Sequence, residues 1–146
     1  MTRPAQSLIV VMVSRWLARL IQIFALYVIF HGHYSPGGGF QGGALLAASI
    51  LLLRMTSGKE ASQSQFKSSL AMPLGALGVL IFLSTGLITI LGGGNYLDYQ
   101  HTPVIAMEAA RIRSLDILII EVGVGLAVMS VLISIFDDLS EGGHDA

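Results

Sequence analysis

Four titratable side chains stand in apolar or glycine-rich settings where their chemistry would matter: Glu121, Asp116, His31 and His33. Glu121 lies within Ile119-Ile120-Glu121-Val122-Gly123-Val124-Gly125. On a helix starting near Leu115 it falls about 9 Å along the axis. That is roughly 6 Å short of the midplane of a hydrocarbon core about 30 Å thick. An ionised carboxylate facing lipid there is very costly, so Glu121 must be neutral, paired, or turned toward a polar cavity or partner. Two readings stay open: an acid hydrogen-bonded to a neighbouring subunit, or an acid on a proton or cation path. Asp116 is expected in the first turn of the same helix, where it complements the helix dipole. The two acids are five residues apart, about 140° around the helix, and so do not form a carboxylate pair on one face. His31 and His33, two residues apart, could relay protons or share a metal. With no carboxylate or thiol nearby in sequence, interfacial hydrogen bonding is the expected role, and no metal site is expected.

The histidines open an unusual run, His31-Gly32-His33-Tyr34-Ser35-Pro36-Gly37-Gly38-Gly39-Phe40-Gln41-Gly42-Gly43. Gly37, Gly39 and Gly42 match G-x-G-x-x-G by spacing, but that fingerprint needs a preceding strand and an acid about 20 residues on. Here an apolar helix precedes it and no acid comes before Glu60. A tight turn needs one or two glycines, and this run has more. Gly38 with Gly42, and Gly39 with Gly43, form overlapping small-xxx-small pairs that permit close helix approach. Pro36, Gly37, Gly38, Gly39, Phe40, Gly42 and Gly43, together with Gly123, are therefore expected to pack against other subunits. Lining an ion path is the alternative for the run.

These residues must be positioned by elements suited to oil. Of 146 residues, 53% are hydrophobic and 12% charged, with no cysteine and a net charge of -1. A soluble domain carries roughly a quarter charged residues. The composition excludes a disordered chain, a disulfide scaffold and an electrostatic nucleic-acid binder. It predicts an all-α integral membrane protein, a single domain over 1–146, with four transmembrane helices near 8–30, 40–55, 70–91 and 115–136 and a glycine-rich irregular link between the first two. The third span carries only Ser84, Thr85 and Thr89 as hydroxyls, which can bond back to their own helix. Arg15 and Arg19 would be deep if the first span began at Leu8. The hydrocarbon-embedded part is therefore expected to start near Trp16, with the preceding stretch along the surface and both arginines snorkelling. No signal peptide is read at the N-terminus. Val104–Arg113 is expected as a short helix in the third loop. Arg3, Arg54, Lys59 and Lys67, with Arg15 and Arg19, outnumber Arg111 and Arg113 across the membrane, which places both termini in the cytoplasm.

The pattern Gly32-His33-x-x-Pro36-Gly37-Gly38-Gly39-Phe40-x-Gly42-Gly43, followed by a small-residue-rich span, resembles the MnhB/MrpB subunit family of Mrp-type multisubunit Na+/H+ antiporters. The family's late acid-x-Gly-Val motif is matched by Glu121-Val122-Gly123-Val124, where antiporter members usually carry Asp. Gly93-Gly94-Asn95-Tyr96-Leu97-Asp98-Tyr99 and the Glu at 121 look closer to the related subunits of membrane-bound hydrogenase-type respiratory complexes. The resemblance implies a small four-helix subunit of a prokaryotic inner-membrane complex that exchanges Na+ for H+, with other membrane subunits and lipid as partners. It does not imply that this chain alone moves ions. No cofactor, nucleic acid or catalytic activity is expected: there is no cysteine, His101 and His144 are isolated, and no serine has a base beside it. A purely structural scaffold is one rival. A dimeric four-helix drug exporter is another, but that family carries an acid in its first span, and none is present here.

Overall fold

The computed structural model describes residues 7–32, 37–102 and 109–142. His33 and Pro36 lie outside them, as do residues 104–108 of the expected loop helix. The described chain is helical: α1 (Leu8–His31), α2 (Gly39–Ser57), a single turn α3 (Lys59–Ser62), α4 (Ala71–Leu91) and α5 (Ala109–Gly142). Short 3-10 turns stand at Ser68–Leu70 and Tyr99–His101. Four segments are long and apolar enough to cross a membrane, namely Leu8–His31, Gly39–Ser57, Ser68–Leu91 and Ala110–Ser140.

Three differences from the sequence reading have physical causes. α1 runs unbroken from Leu8, because no glycine or proline interrupts Leu8–Phe30, so residues 8–15 are not a separate surface segment. α2 begins at Gly39, using the glycines themselves as its first turn, and at 19 residues is about 28 Å long. α5 starts at Ala109, so Ala109–Arg113 belong to it and not to a separate short helix. Its 34 residues give about 51 Å, well beyond a hydrocarbon core of about 30 Å.

The helices pack in the spatial order α1, α2, α5, α4. Among the described residues α1 and α4 do not meet. Ala47 and Ile50 of α2 meet Met129 and Ile133 of α5 in the core, flanked by Leu46, Leu51, Leu126, Leu74 and Phe66. In lipid, association of helices comes from dispersion and close packing, because the tails are as apolar as leucine. Glycines make that approach possible. A Cβ at Gly42 would lie 2.9 Å from the Ala25 carbonyl oxygen of α1, and one at Gly43 would lie 2.5 Å from the Gly125 oxygen of α5. A Cβ at Gly123 would lie 2.9 Å from the Gly78 oxygen of α4. Thr85 and Ser84 donate to the Ile81 carbonyl, and Thr89 to that of Gly86, so the α4 hydroxyls are satisfied within the helix.

At the foot of α2, Arg54 donates to Asp137 of α5 and, at 3.3 Å, to Ser68. Both charges are buried, with side chains 1% and 7% exposed. Pairs of this kind add little net stability, but removing one partner strands the other. Asp137→Ala is therefore expected to cost about 3–5 kcal/mol. Arg54→Met with Asp137→Leu is expected to recover most of that loss, read as Tm in mild detergent. Equal Tm for Asp137→Ala and the native chain would remove the pair from the stability account.

Candidate functional site

A helix leaves its first N–H groups without intrahelical partners and carries partial positive charge at that end. In water, solvent meets them; within a bilayer something in the protein must. The N-cap of α2 is Gly38, which has no side chain to offer. The partner comes from α5: the Gly39 N–H donates to Glu121 Oε2. The acid thus caps a helix that is not its own.

Glycine is required around it. Gly38 has φ of 105°, a conformation L side chains rarely adopt. A Cβ there would lie 2.6 Å from Oε1 and 2.7 Å from Cδ of Glu121. A Cβ on Gly39 would meet the Glu121 backbone carbonyl, and one on Gly32 would lie 2.6 Å from the Gly38 Cα. The carboxylate therefore sits in a cup of Gly32, Gly38 and Gly39. Among the described residues no lysine or arginine forms an ion pair with it. Backbone N–H and the helix dipole face the carboxylate, an environment that suits an anion.

Asp116 is buried, 7% exposed, and accepts from Thr102 Oγ1 at 2.7 Å. Because α5 starts at Ala109, Asp116 is not in its first turn; its partner is a hydroxyl from the α4–α5 loop. Tyr99 stands in the same loop. Burial pushes its phenol pKa above the usual value, and the charges of Asp116, Glu121 and Tyr96 push it further. The loop folds back over α4 by means of glycines. The Tyr96 ring occupies the space beside Gly86, and the Asn95 carbonyl accepts from Thr89 at 2.9 Å. His101 pairs with Asp98 at 3.0 Å, a half-exposed contact of little energetic weight.

The other predicted residues are placed as follows. His31 stacks on Tyr27 at 4.1 Å, with Nδ1 3.1 Å from the Tyr27 carbonyl oxygen. It is exposed. Gly37 lies beside Val28, to whose Cγ1 an added Cβ would come within 3.1 Å. Gly38, Gly39, Gly42, Gly43 and Gly123 each make close approaches to this chain's own helices. The reason is register: the α2 glycines face α1 and α5 in turn, and Gly123 faces α4. Phe40 points outward, 66% exposed. No group of three or more His, Asp and Glu stands as a metal site among the described residues. Sequence reasoning missed Tyr99, Thr102 and the Arg54–Asp137 pair; each is brought in by tertiary packing with no local motif.

This geometry predicts an ordering of variants. Gly39→Leu must separate α2 from α5 and should abolish recovery of folded chain from membranes. Glu121→Gln keeps an acceptor for the Gly39 N–H and should fold normally. Glu121→Ala should lose about 1–2 kcal/mol, the scale of a lost helix cap. Detergent Tm and yield measure this; normal recovery of Gly39→Leu contradicts the packing.

Comparison with known proteins agrees with the architecture. The chain is 32% identical over 135 residues to a protein of Alkalihalophilus pseudofirmus that is named as a Na(+)/H(+) antiporter subunit, covering 86% of this chain and 90% of that one. It is 26% identical over 130 residues to a Staphylococcus aureus (strain Newman) protein with the name putative antiporter subunit mnhB2, covering 89% and 92%. The family described as "Domain related to MnhB subunit of Na+/H+ antiporter" matches residues 9–134. A multi-pass helical chain that aligns with these proteins over nearly its whole length belongs to the MnhB family.

Proposed function

We propose that this chain is a non-catalytic membrane subunit of a multisubunit Na+/H+ antiporter, and that Glu121 borders the path of the exchanged ions. The observation that carries the reading is the capping of α2 by an acid embedded in an apolar helix, in a chain whose relatives bear antiporter-subunit names. For a purely structural cap, a side-chain amide would serve equally well. A carboxylate in the glycine cup adds an ionisable group within an apolar helix, and such groups mark ion and proton paths.

The basic residues orient it with both termini in the cytoplasm of a prokaryotic cell. The head of α2 then lies in the outer half of the bilayer. Asp116 is about 7.5 Å further along α5 toward the outer loop. Tyr99 feels both acids, and Thr102 donates to the outer one. Glu121, and Asp116 with its Thr102 donor, thereby stand as two acidic stations on α5 between the membrane interior and the outer loop. Na+ and H+ are the ions of the complex, and the remaining antiporter subunits supply the other half of the path. Phe40, with the outward faces of α1 and α4, is available to those subunits and to lipid.

In complexes assembled in inverted vesicles, Glu121→Gln is expected to reduce Na+-driven proton exchange at least about tenfold at unchanged subunit recovery, the scale of losing a positioned proton-transfer group. Glu121→Asp is expected to retain exchange. Full activity in an assembled Glu121→Ala complex would leave Glu121 with a structural role only.

A further inference from the structure

The head of α2 lies deeper than the outer ends of α4 and α5. α4 is 21 residues and about 31 Å long, the full thickness of a hydrocarbon core, and carries no charged residue. Gly75 of α4 stands beside Ser130 of α5, and Gly78 beside Gly123 and Ala127. Continued at that antiparallel register, Glu121 is level with about residue 83 of α4, so Leu91 ends about 12 Å further out. α1 and α2 do not reach that level. α1 ends at His31, and a Cβ on Gly32 would lie 2.6 Å from Gly38 Cα and 3.3 Å from Glu121 Cδ. Both helices of this hairpin therefore stop about 12 Å inside the outer edge. Among the described residues only α4, α5 and the loop between them continue outward.

α5 consequently has no α2 beside it above Glu121. Glu121 and Gly125 lie on the flank that faces α2, where they meet Gly39 and Gly43. Three and seven residues before Glu121, Leu118 and Ser114 continue that flank outward. Glu121, Leu118 and Ser114 are each partly exposed, and Arg111, one turn beyond Ser114, is exposed. Asp116 stands on another flank, that of Gly123, which faces α4.

We propose that a water-filled vestibule, open to the outer face, reaches down this flank of α5 to Glu121. Lipid cannot cover it at low cost. A partly exposed carboxylate at that depth is expensive in hydrocarbon, and non-helical backbone there occurs only within protein or along a water-filled cavity. Ser114 and Arg111 put polar groups on the flank above the acid, which suits water better than a partner's apolar helix. A partner sealed against this flank would also cut the outer phase off from Glu121. The vestibule presupposes the proposed place of Glu121 beside the ion path and an outward α4–α5 loop. It adds the side from which Na+ or H+ arrives.

The chain has no cysteine, so a single introduced thiol reports one position. Ser114→Cys, Leu118→Cys and Ile119→Cys are compared in the assembled complex in right-side-out vesicles. A membrane-impermeant cationic methanethiosulfonate is added outside, and labelling of this chain is followed by mass spectrometry. Leu118 and Ile119 share a depth but not a flank, and Ile119 is 46% exposed. A thiol reacts as its thiolate, which apolar surroundings disfavour, so Leu118→Cys and Ser114→Cys are expected to label at least about tenfold faster than Ile119→Cys. In inverted vesicles none of the three should label. Equal rates for Leu118→Cys and Ile119→Cys, reaction only after detergent solubilisation, or reaction from the inner face would each overturn the vestibule. The exchange assay separates this from the role of Glu121. Preferential labelling with full exchange by an assembled Glu121→Ala complex would support the vestibule and remove only the ion-path role of the acid. Absent labelling with an inactive Glu121→Gln complex would do the reverse.

Discussion

The start of α2 sets the terms for the rest of the molecule. Its leading N–H groups emerge among apolar helices, and its own N-cap is a glycine that can supply nothing. The Glu121 carboxylate meets the Gly39 N–H from across the α2–α5 interface. For it to do so, α5 must run close enough that backbone nearly touches backbone, which explains why Gly38, Gly39, Gly43 and Gly125 cluster along one seam. The same contact solves the acid's own problem. A carboxylate with no ion-pair partner among the described residues is held by a helix end that presents positive potential.

The seam is tied at both ends. The Gly39–Glu121 contact holds the head and Arg54–Asp137 the foot, separated by nearly equal lengths of the two parallel helices. These ties are directional, whereas the apolar core between them, Ala47, Ile50, Met129 and Ile133, is not. Together they fix register where dispersion alone would tolerate sliding. α1 and α4 then attach to the outsides of this pair through Gly42 and Gly78, each facing a backbone of the neighbouring helix. Most of the apolar side chains of α1 remain exposed, as befits a helix facing lipid or other subunits.

The helical class, the number of spans and the oddity of Glu121 were legible in composition and patterning, because hydropathy over about 20 residues is a local signal. The small-xxx-small spacing correctly marked close approach but could not say to what. That depends on which way the α2 glycines turn, and Gly42 turns to α1 while Gly43 turns to α5. Asp116 was legible as an acid near a helix start, yet its Thr102 contact and the nearby Tyr99 depend on a loop folding back through Gly86 and Gly94. Arg54 was read as a topology-setting charge and Asp137 as part of an acidic tail. Their pairing joins residues 83 positions apart, and nothing in either neighbourhood announces it.

An acid of α5 caps α2. Dipolar recoupling by solid-state NMR, with ¹³C at the Glu121 carboxyl and ¹⁵N at the Gly39 amide in a bilayer-reconstituted complex, measures it directly. The expected carbon–nitrogen separation is about 3–4 Å, as a hydrogen-bonded carboxylate requires. A separation beyond about 6 Å, outside any hydrogen bond, would show that the head of α2 is satisfied by something else.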